Sequence, residues 1–132
     1  GGYNVPFFTG KHRGVAIHGE HVYFLSNDNK LHGIHYKTGK ASFVKGYEEA
    51  GIVYPKDFSK AGDSNGYIST VGPIAVQGAI LLPMNGTDTG GLEGFVLGVS
   101  PKDGSLLWKA NMIPRPDEPG GNTWPPGSTK YG

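Results

Sequence analysis

The 132-residue chain is long enough for one domain-sized core, and its 12 Lys+Arg against 11 Asp+Glu leave a net charge of +1. That balance, with the charges scattered, gives no electrostatic reason for a nucleic acid or an anionic membrane as partner. The absence of cysteine excludes disulfides, thiolate zinc sites and a cysteine nucleophile, and no apolar run approaches the roughly 20 residues that span a bilayer.

The 23 glycines and 10 prolines are spread between apolar runs, where turns between short strands need them. The chain begins Gly1-Gly2-Tyr3, with neither methionine nor a charged-then-apolar leader, which suggests a processed chain or a piece of a longer one. From Gly14, GVAIHGEHVYFLSNDNKLHGIHYKTGKASF alternates β-branched and aromatic runs with turn signals. It predicts four strands near 14–18, 21–26, 31–36 and 41–44, joined as hairpins into one antiparallel meander.

Residues 45–69 show no sustained strand or helix period and read as an irregular crossover. From Thr70 the layout returns as TVGPIAVQGAILLPMN, a Gly/Thr-rich loop and GLEGFVLGVSPKDGSLLWKA, predicting strands near 73–77, 79–83, 93–99 and 105–110. Ile74-Ala75-Val76-Gln77-Gly78 answers Val15-Ala16-Ile17-His18-Gly19. GIHYKTGKASF (33–43) aligns without a gap on GVSPKDGSLLW (98–108). Residues 111–132 form a Pro/Gly-rich loop.

Recurrence of a four-strand unit is the sequence sign of a β-propeller, whose blades bury their faces against one another. The expected fold is therefore all-β: two antiparallel four-stranded blades, about 14–44 and about 70–110, of an incomplete propeller. Two blades cannot close a ring that needs at least about four, so the chain is expected to be part of something larger.

LHGIHYKTGKASF and LGVSPKDGSLLW resemble the A-x-D-x-x-T-G-x-x-x-W repeat of dehydrogenases dependent on pyrroloquinoline quinone (PQQ), with Phe43 in the first tryptophan place. Non-catalytic propellers, including outer-membrane assembly lipoproteins, use a similar repeat. The intervening segments add specificity: HRGVAIHGEHVYFLSNDNKLHGIHYKTGK, TVGPIAVQGAILLPMNGTDTGGLEGFVLGVSPKDGSLLW and EPGGNTWP look, in that order, like successive parts of the methanol and ethanol dehydrogenase group.

The resemblance implies an eight-bladed periplasmic alcohol dehydrogenase that passes two electrons to PQQ beside calcium or a lanthanide ion, and then to a cytochrome c or a quinone. This chain would supply part of the cofactor cradle. Arg13 matches an arginine on the acidic, oxygen-rich cofactor, a role suited to a permanently charged donor fork, although His12 stands where the family has asparagine. Thr70 matches a threonine that hydrogen-bonds PQQ. Asn85, Gly86 and Thr87 fall where the family wraps the cofactor, and Asp88 where a glutamate ligates calcium; aspartate is a hard-oxygen donor but one methylene shorter.

Phe7 and Phe8 stand where many members pair two cysteines, and they are either rings stacked over the quinone or ordinary core residues. In one alignment Tyr131 takes the place of the tryptophan under PQQ; in the other, which fits TWPPGSTKYG better, the chain ends before it. The catalytic base is expected outside this chain, as is the remainder of the propeller, supplied by other blades or other chains.

The plainer readings stand beside these. An arginine at a strand start is ordinarily a surface ion-pair partner, and an aspartate in a Gly/Thr loop a turn former. His18/His21 and His32/His35 invite a zinc site, but a spacing of three puts strand side chains on opposite faces unless a turn intervenes, so packed or solvated histidines are the better reading. Asn85-Gly86-Thr87 is also a glycosylation sequon, read as loop chemistry. Phe43 and Trp108 are expected to close the last strand of each blade against its neighbour, and Trp124 to anchor its loop or line a funnel mouth. The competing class is a non-catalytic propeller serving as a protein-binding scaffold, which has no reason to keep Arg13, Thr70 and the 85–88 loop together.

Overall fold

A computed structural model describes residues 14–26, 28–52, 67, 69, 71–84 and 93–125. Among these residues eight strands fall in the predicted order: β1 Ala16–His18, β2 His21–Leu25, β3 Leu31–His35, β4 Lys40–Lys45, β5 Ile74–Val76, β6 Ala79–Met84, β7 Phe95–Val99 and β8 Leu106–Asn111. They form two sheets, β1-β2-β3-β4 and β5-β6-β7-β8, antiparallel throughout. The all-β fold of an incomplete propeller is the one expected.

The sheets stack face to face, and β-sheet alternation decides what lies between them. From the first come Tyr23, Leu25 and Leu31; from the second Ile80, Leu82, Met84, Phe95, Leu97 and Val99, all buried. The segment after β4 turns through a 3-10 helix at Glu48–Ala50 and adds Tyr47, Ala50 and Ile52 to the same core. Lys109 Nζ donates to Ala50 O at 2.9 Å and lies 4.0 Å from the Phe95 ring centre, pinning this segment to the second sheet.

Each sheet carries the same irregularity. The β3–β4 register shifts after Gly33, leaving Ser42 as the extra residue, and the β7–β8 register shifts after Gly98, leaving Leu107. A bulge of this kind bends the outer strand and strengthens its twist. Just beyond it an aromatic ring crosses its glycine partner: a Cβ on Gly33 would lie 2.5 Å from Phe43 Cε1, and one on Gly98 2.1 Å from Trp108 Cε2. An aromatic residue covering a facing glycine restores packing that the glycine lacks.

One sequence match shifts by a residue. The first hairpin of each sheet closes on His18↔His21 and on Val76↔Ala79, so Ala16–His18 is the structural counterpart of Ile74–Val76. The matching of Val15-Ala16-Ile17 with Ile74-Ala75-Val76 had aligned the glycines, whereas Gly19 and Gly78 occupy different positions of their two-residue turns.

Part of the Pro/Gly-rich segment is held by one carboxylate. Glu118 accepts from Asn111 Nδ2 at 3.0 Å and from the Arg115 backbone N–H at 2.8 Å, while Arg115 pairs with Glu93 at 2.9 Å. This folds the chain after β8 back onto its own strand. The loop ring Trp124 stays 44% exposed.

Candidate functional site

Arg13, Thr70, Asn85, Gly86, Thr87 and Asp88 lie outside the described residues, as do Phe7, Phe8 and Tyr131. Residues 14, 69, 71 and 84, next to positions 13, 70 and 85, are described, and they converge. Gly72, two residues before β5, packs on Gly14, two residues before β1, so closely that a Cβ on Gly72 would lie 2.7 Å from the Gly14 carbonyl carbon. Glycine at 72 therefore lets the backbones leading into the first strand of each sheet touch.

Met84 and Phe95, which flank the 85–92 segment, are a cross-strand pair at the same end of the second sheet. Ser69 Oγ reaches Pro83 O at 2.8 Å and Val71 O at 3.0 Å, tying the chain beside residue 70 to the end of β6. Tyr67 packs edge-on against Phe95 with centroids 5.0 Å apart, and its hydroxyl reaches Glu93 O at 3.3 Å. Asn29 Nδ2 donates to Tyr67 O at 2.8 Å, which fastens this edge to the first sheet. Burial and the nearby Glu93 charge raise the Tyr67 phenol above its ordinary range, so it remains a donor.

The described residues next to positions 13, 70 and 85 thus meet at one end of the paired sheets. Asn29, Tyr67 and Ser69 build this frame, and sequence inspection missed them. Their partners lie far along the chain, so no local spacing announces the bonds.

The four histidines among the described residues occupy two separate environments. His18, His21 and His35 share a face at the opposite end of the first sheet, with the His21 and His35 rings edge-on at 5.5 Å. His21 Nε2 lies 2.8 Å from Ser42 Oγ, and His35 Nε2 lies 3.3 Å from Glu20 Oε2. Lys37 also binds Glu20, and these two hydrogen bonds, Lys37 first, hold its carboxyl below the usual range.

His32 points to the other face and is 5% exposed, its Nε2 3.1 Å from Ser26 Oγ. The Asp28 carboxylate bonds the Ser26 hydroxyl and not the imidazole, so Ser26, His32 and Asp28 lack the base-to-orienter contact of a nucleophile relay. Desolvation pushes the His32 pKa down, keeping the ring neutral. Among the described residues no group of three or more His, Cys, Asp or Glu side chains could hold a metal ion.

A surface pocket of about 240 Å³ is lined by Lys109, Ala110, Asn111, Pro114, Glu118 and Pro119. Its polar groups are engaged with one another and with the backbone, as expected of a structural cleft. Among the described residues no helix is long and apolar enough to cross a membrane.

No protein-family model and no curated protein matches the chain. Solved structures do. Quinohemoprotein alcohol dehydrogenase from Comamonas testosteroni matches with TM-score 0.62 and 22% identity, over 83% of this chain and 14% of that one. A europium-containing methanol dehydrogenase matches with TM-score 0.63 and 19% identity, over 82% and 16%. Quinohemoprotein alcohol dehydrogenase ADHIIG from Pseudomonas putida HK5 matches with TM-score 0.59 and 24% identity, over 91% and 15%.

BamB from Moraxella catarrhalis matches with TM-score 0.50 and 16% identity, over 80% and 24%. Likeness at these identities speaks for the fold, and the chain spans only a small part of each protein. The chain is thus folded as two neighbouring four-stranded units of an incomplete β-propeller, and it resembles a part of the quinohemoprotein alcohol dehydrogenases and of a methanol dehydrogenase.

Proposed function

We propose that this chain is a two-blade portion, units about 14–44 and about 70–110, of a periplasmic quinoprotein dehydrogenase that oxidises an alcohol, and that it supplies part of the cradle for PQQ and its metal. The observation that supports the reading most is the meeting of the described residues next to positions 13, 70 and 85 at one end of the paired sheets.

The donor set suits such a ligand. Arg13 provides a charged fork for the cofactor carboxylates, Thr70, Asn85 and Thr87 provide hydroxyl and amide partners for its oxygens, and Gly86 permits close approach of backbone. Asp88 provides a hard oxygen for calcium or a lanthanide. When bound, the quinone accepts two electrons while the metal polarises its carbonyl. A base to take the alcohol proton, and a cytochrome c or a quinone to take the electrons, would be supplied from outside this chain.

Titrating the purified protein with PQQ, with and without calcium, and following the quinone absorption tests this. Saturable uptake that strengthens with calcium is expected; no uptake overturns the reading. The likeness to BamB favours one second reading, a propeller that binds protein partners and carries no redox group. That reading predicts no quinone uptake with the fold intact.

A further inference from the structure

Two hydroxyls, two residues apart in the chain, grip the two ends of the 85–92 segment. Ser69 Oγ donates to Pro83 O at 2.8 Å, on β6, and Tyr67 OH donates to Glu93 O at 3.3 Å, just before β7. The chain enters the segment through Pro83-Met84 and leaves it through Glu93-Gly94-Phe95, and Met84 pairs with Phe95 across the strands. Residues 67 and 69 therefore hold both its entrance and its exit.

The grip is itself anchored. Asn29, 7% exposed in the turn between β2 and β3, donates its amide to Tyr67 O at 2.8 Å, and its φ of +59° is one that asparagine tolerates. The Tyr67 ring lies edge-on to Phe95 at 5.0 Å. Glu93 is fixed a second time through its carboxylate, which takes the Arg115 guanidinium at 2.9 Å, and Gly94 O accepts the Met112 N–H at 2.9 Å. The first sheet thus reaches the segment through a side chain that is nearly buried.

We infer that Tyr67 and Ser69 are positioning residues: by fixing Glu93 O and Pro83 O they set where residues 85–88 stand against residue 70, and so how tightly PQQ and calcium are taken up. The inference rests on the cradle proposed for PQQ. Placement matters because Asp88 reaches one methylene less far than a glutamate, so the backbone that carries it has less latitude. A site whose supporting groups are loose loses affinity although every contacting group remains.

Quinone uptake by the full chain in the presence of calcium, followed by absorption, tests it. Tyr67→Phe keeps the ring on Phe95 and removes only the hydroxyl, and Ser69→Ala removes the other. Each is expected to raise the half-saturating PQQ concentration by about 3–10-fold, the worth of one neutral hydrogen bond. Ser69→Thr keeps the hydroxyl and is expected to stay within about twofold of the unaltered chain. Tyr23→Phe is the control, since it also removes one tyrosine bond, to Pro101 O at 2.7 Å, but in the turn at the opposite end of β7. It is expected to lower the melting temperature as the Tyr67 and Ser69 changes do, and to leave uptake unchanged.

Unchanged uptake in Tyr67→Phe or Ser69→Ala, with the circular dichroism of the unaltered chain, overturns the inference and leaves the cradle standing. The two changes are separate, so either variant that folds decides. Uptake weakened equally by Tyr23→Phe, or not restored by Ser69→Thr, also overturns it, because the hydroxyls then act only on stability. No uptake by the unaltered chain overturns the cradle and the inference together.

Discussion

The ring of Phe43 rests on the backbone of Gly104 in the opposite sheet, 2.6 Å from where a Cβ would sit. Glycine is required there twice over: φ is +72°, and the space a side chain would fill belongs to the ring. Gly39 shares the angle without the ring. Gly104→Ala is therefore expected to cost about 2–4 kcal/mol, the sum of a left-handed alanine and an overpacked contact, and Gly39→Ala only about 1–2 kcal/mol. Urea unfolding at low protein concentration, comparing the two midpoints, checks the difference.

Two tyrosines hold the sheets together through their hydroxyls. Tyr23 OH donates to Pro101 O at 2.7 Å and Tyr47 OH to Gly104 O at 3.1 Å. Either Tyr→Phe change removes one hydrogen bond and keeps the ring, so each is expected to cost about 1–2 kcal/mol. The double variant is expected to be nearly additive unless the two bonds form cooperatively, which a double-mutant cycle reads directly.

Stability should depend on pH through His32. Its folded pKa is lowered, chiefly by desolvation, so below its ordinary value of about 6.5 the unfolded chain binds the proton more readily than the folded one. The contribution is fully present above about pH 6.5 and is lost as pH falls through that value toward the depressed folded pKa. Leu97 stands in the corresponding place of the second sheet. His32→Leu is expected to flatten the fall in melting temperature between about pH 6.5 and 5.

For the proposed cradle, Arg13→Ala is expected to weaken PQQ uptake by about 10–100-fold, the loss of charge-assisted hydrogen bonds. Asp88→Asn is expected to remove the calcium dependence of uptake while leaving metal-free uptake nearly unchanged, because the amide keeps the shape and loses the charge. Equal loss in both variants with and without calcium would contradict the division of roles.

The eight strands were legible because their signals are local. Alternating side chains and Gly, Asn and Asp turns, such as Lys37-Thr38-Gly39, specify where a strand begins and ends within a few residues. The one-residue mismatch between the first hairpins has the same origin. The shared glycine suggested one alignment, while the pairings His18↔His21 and Val76↔Ala79 follow turn geometry that a glycine match does not encode. The frame of the candidate site was not legible: the bond from Asn29 to Tyr67 O and the approach of Gly72 to Gly14 join positions whose separation along the chain leaves no pattern.

The sequence alone determined two antiparallel four-stranded sheets and the place of an aromatic ring near the end of each, because strand alternation and turn chemistry act between near neighbours. Only the tertiary structure decided what each ring meets. Phe43 is covered by the turn at Gly104, and Trp108 is left open beside Leu107. Which face of a sheet is buried depends on the surface stacked against it, and that is a property of two sheets together.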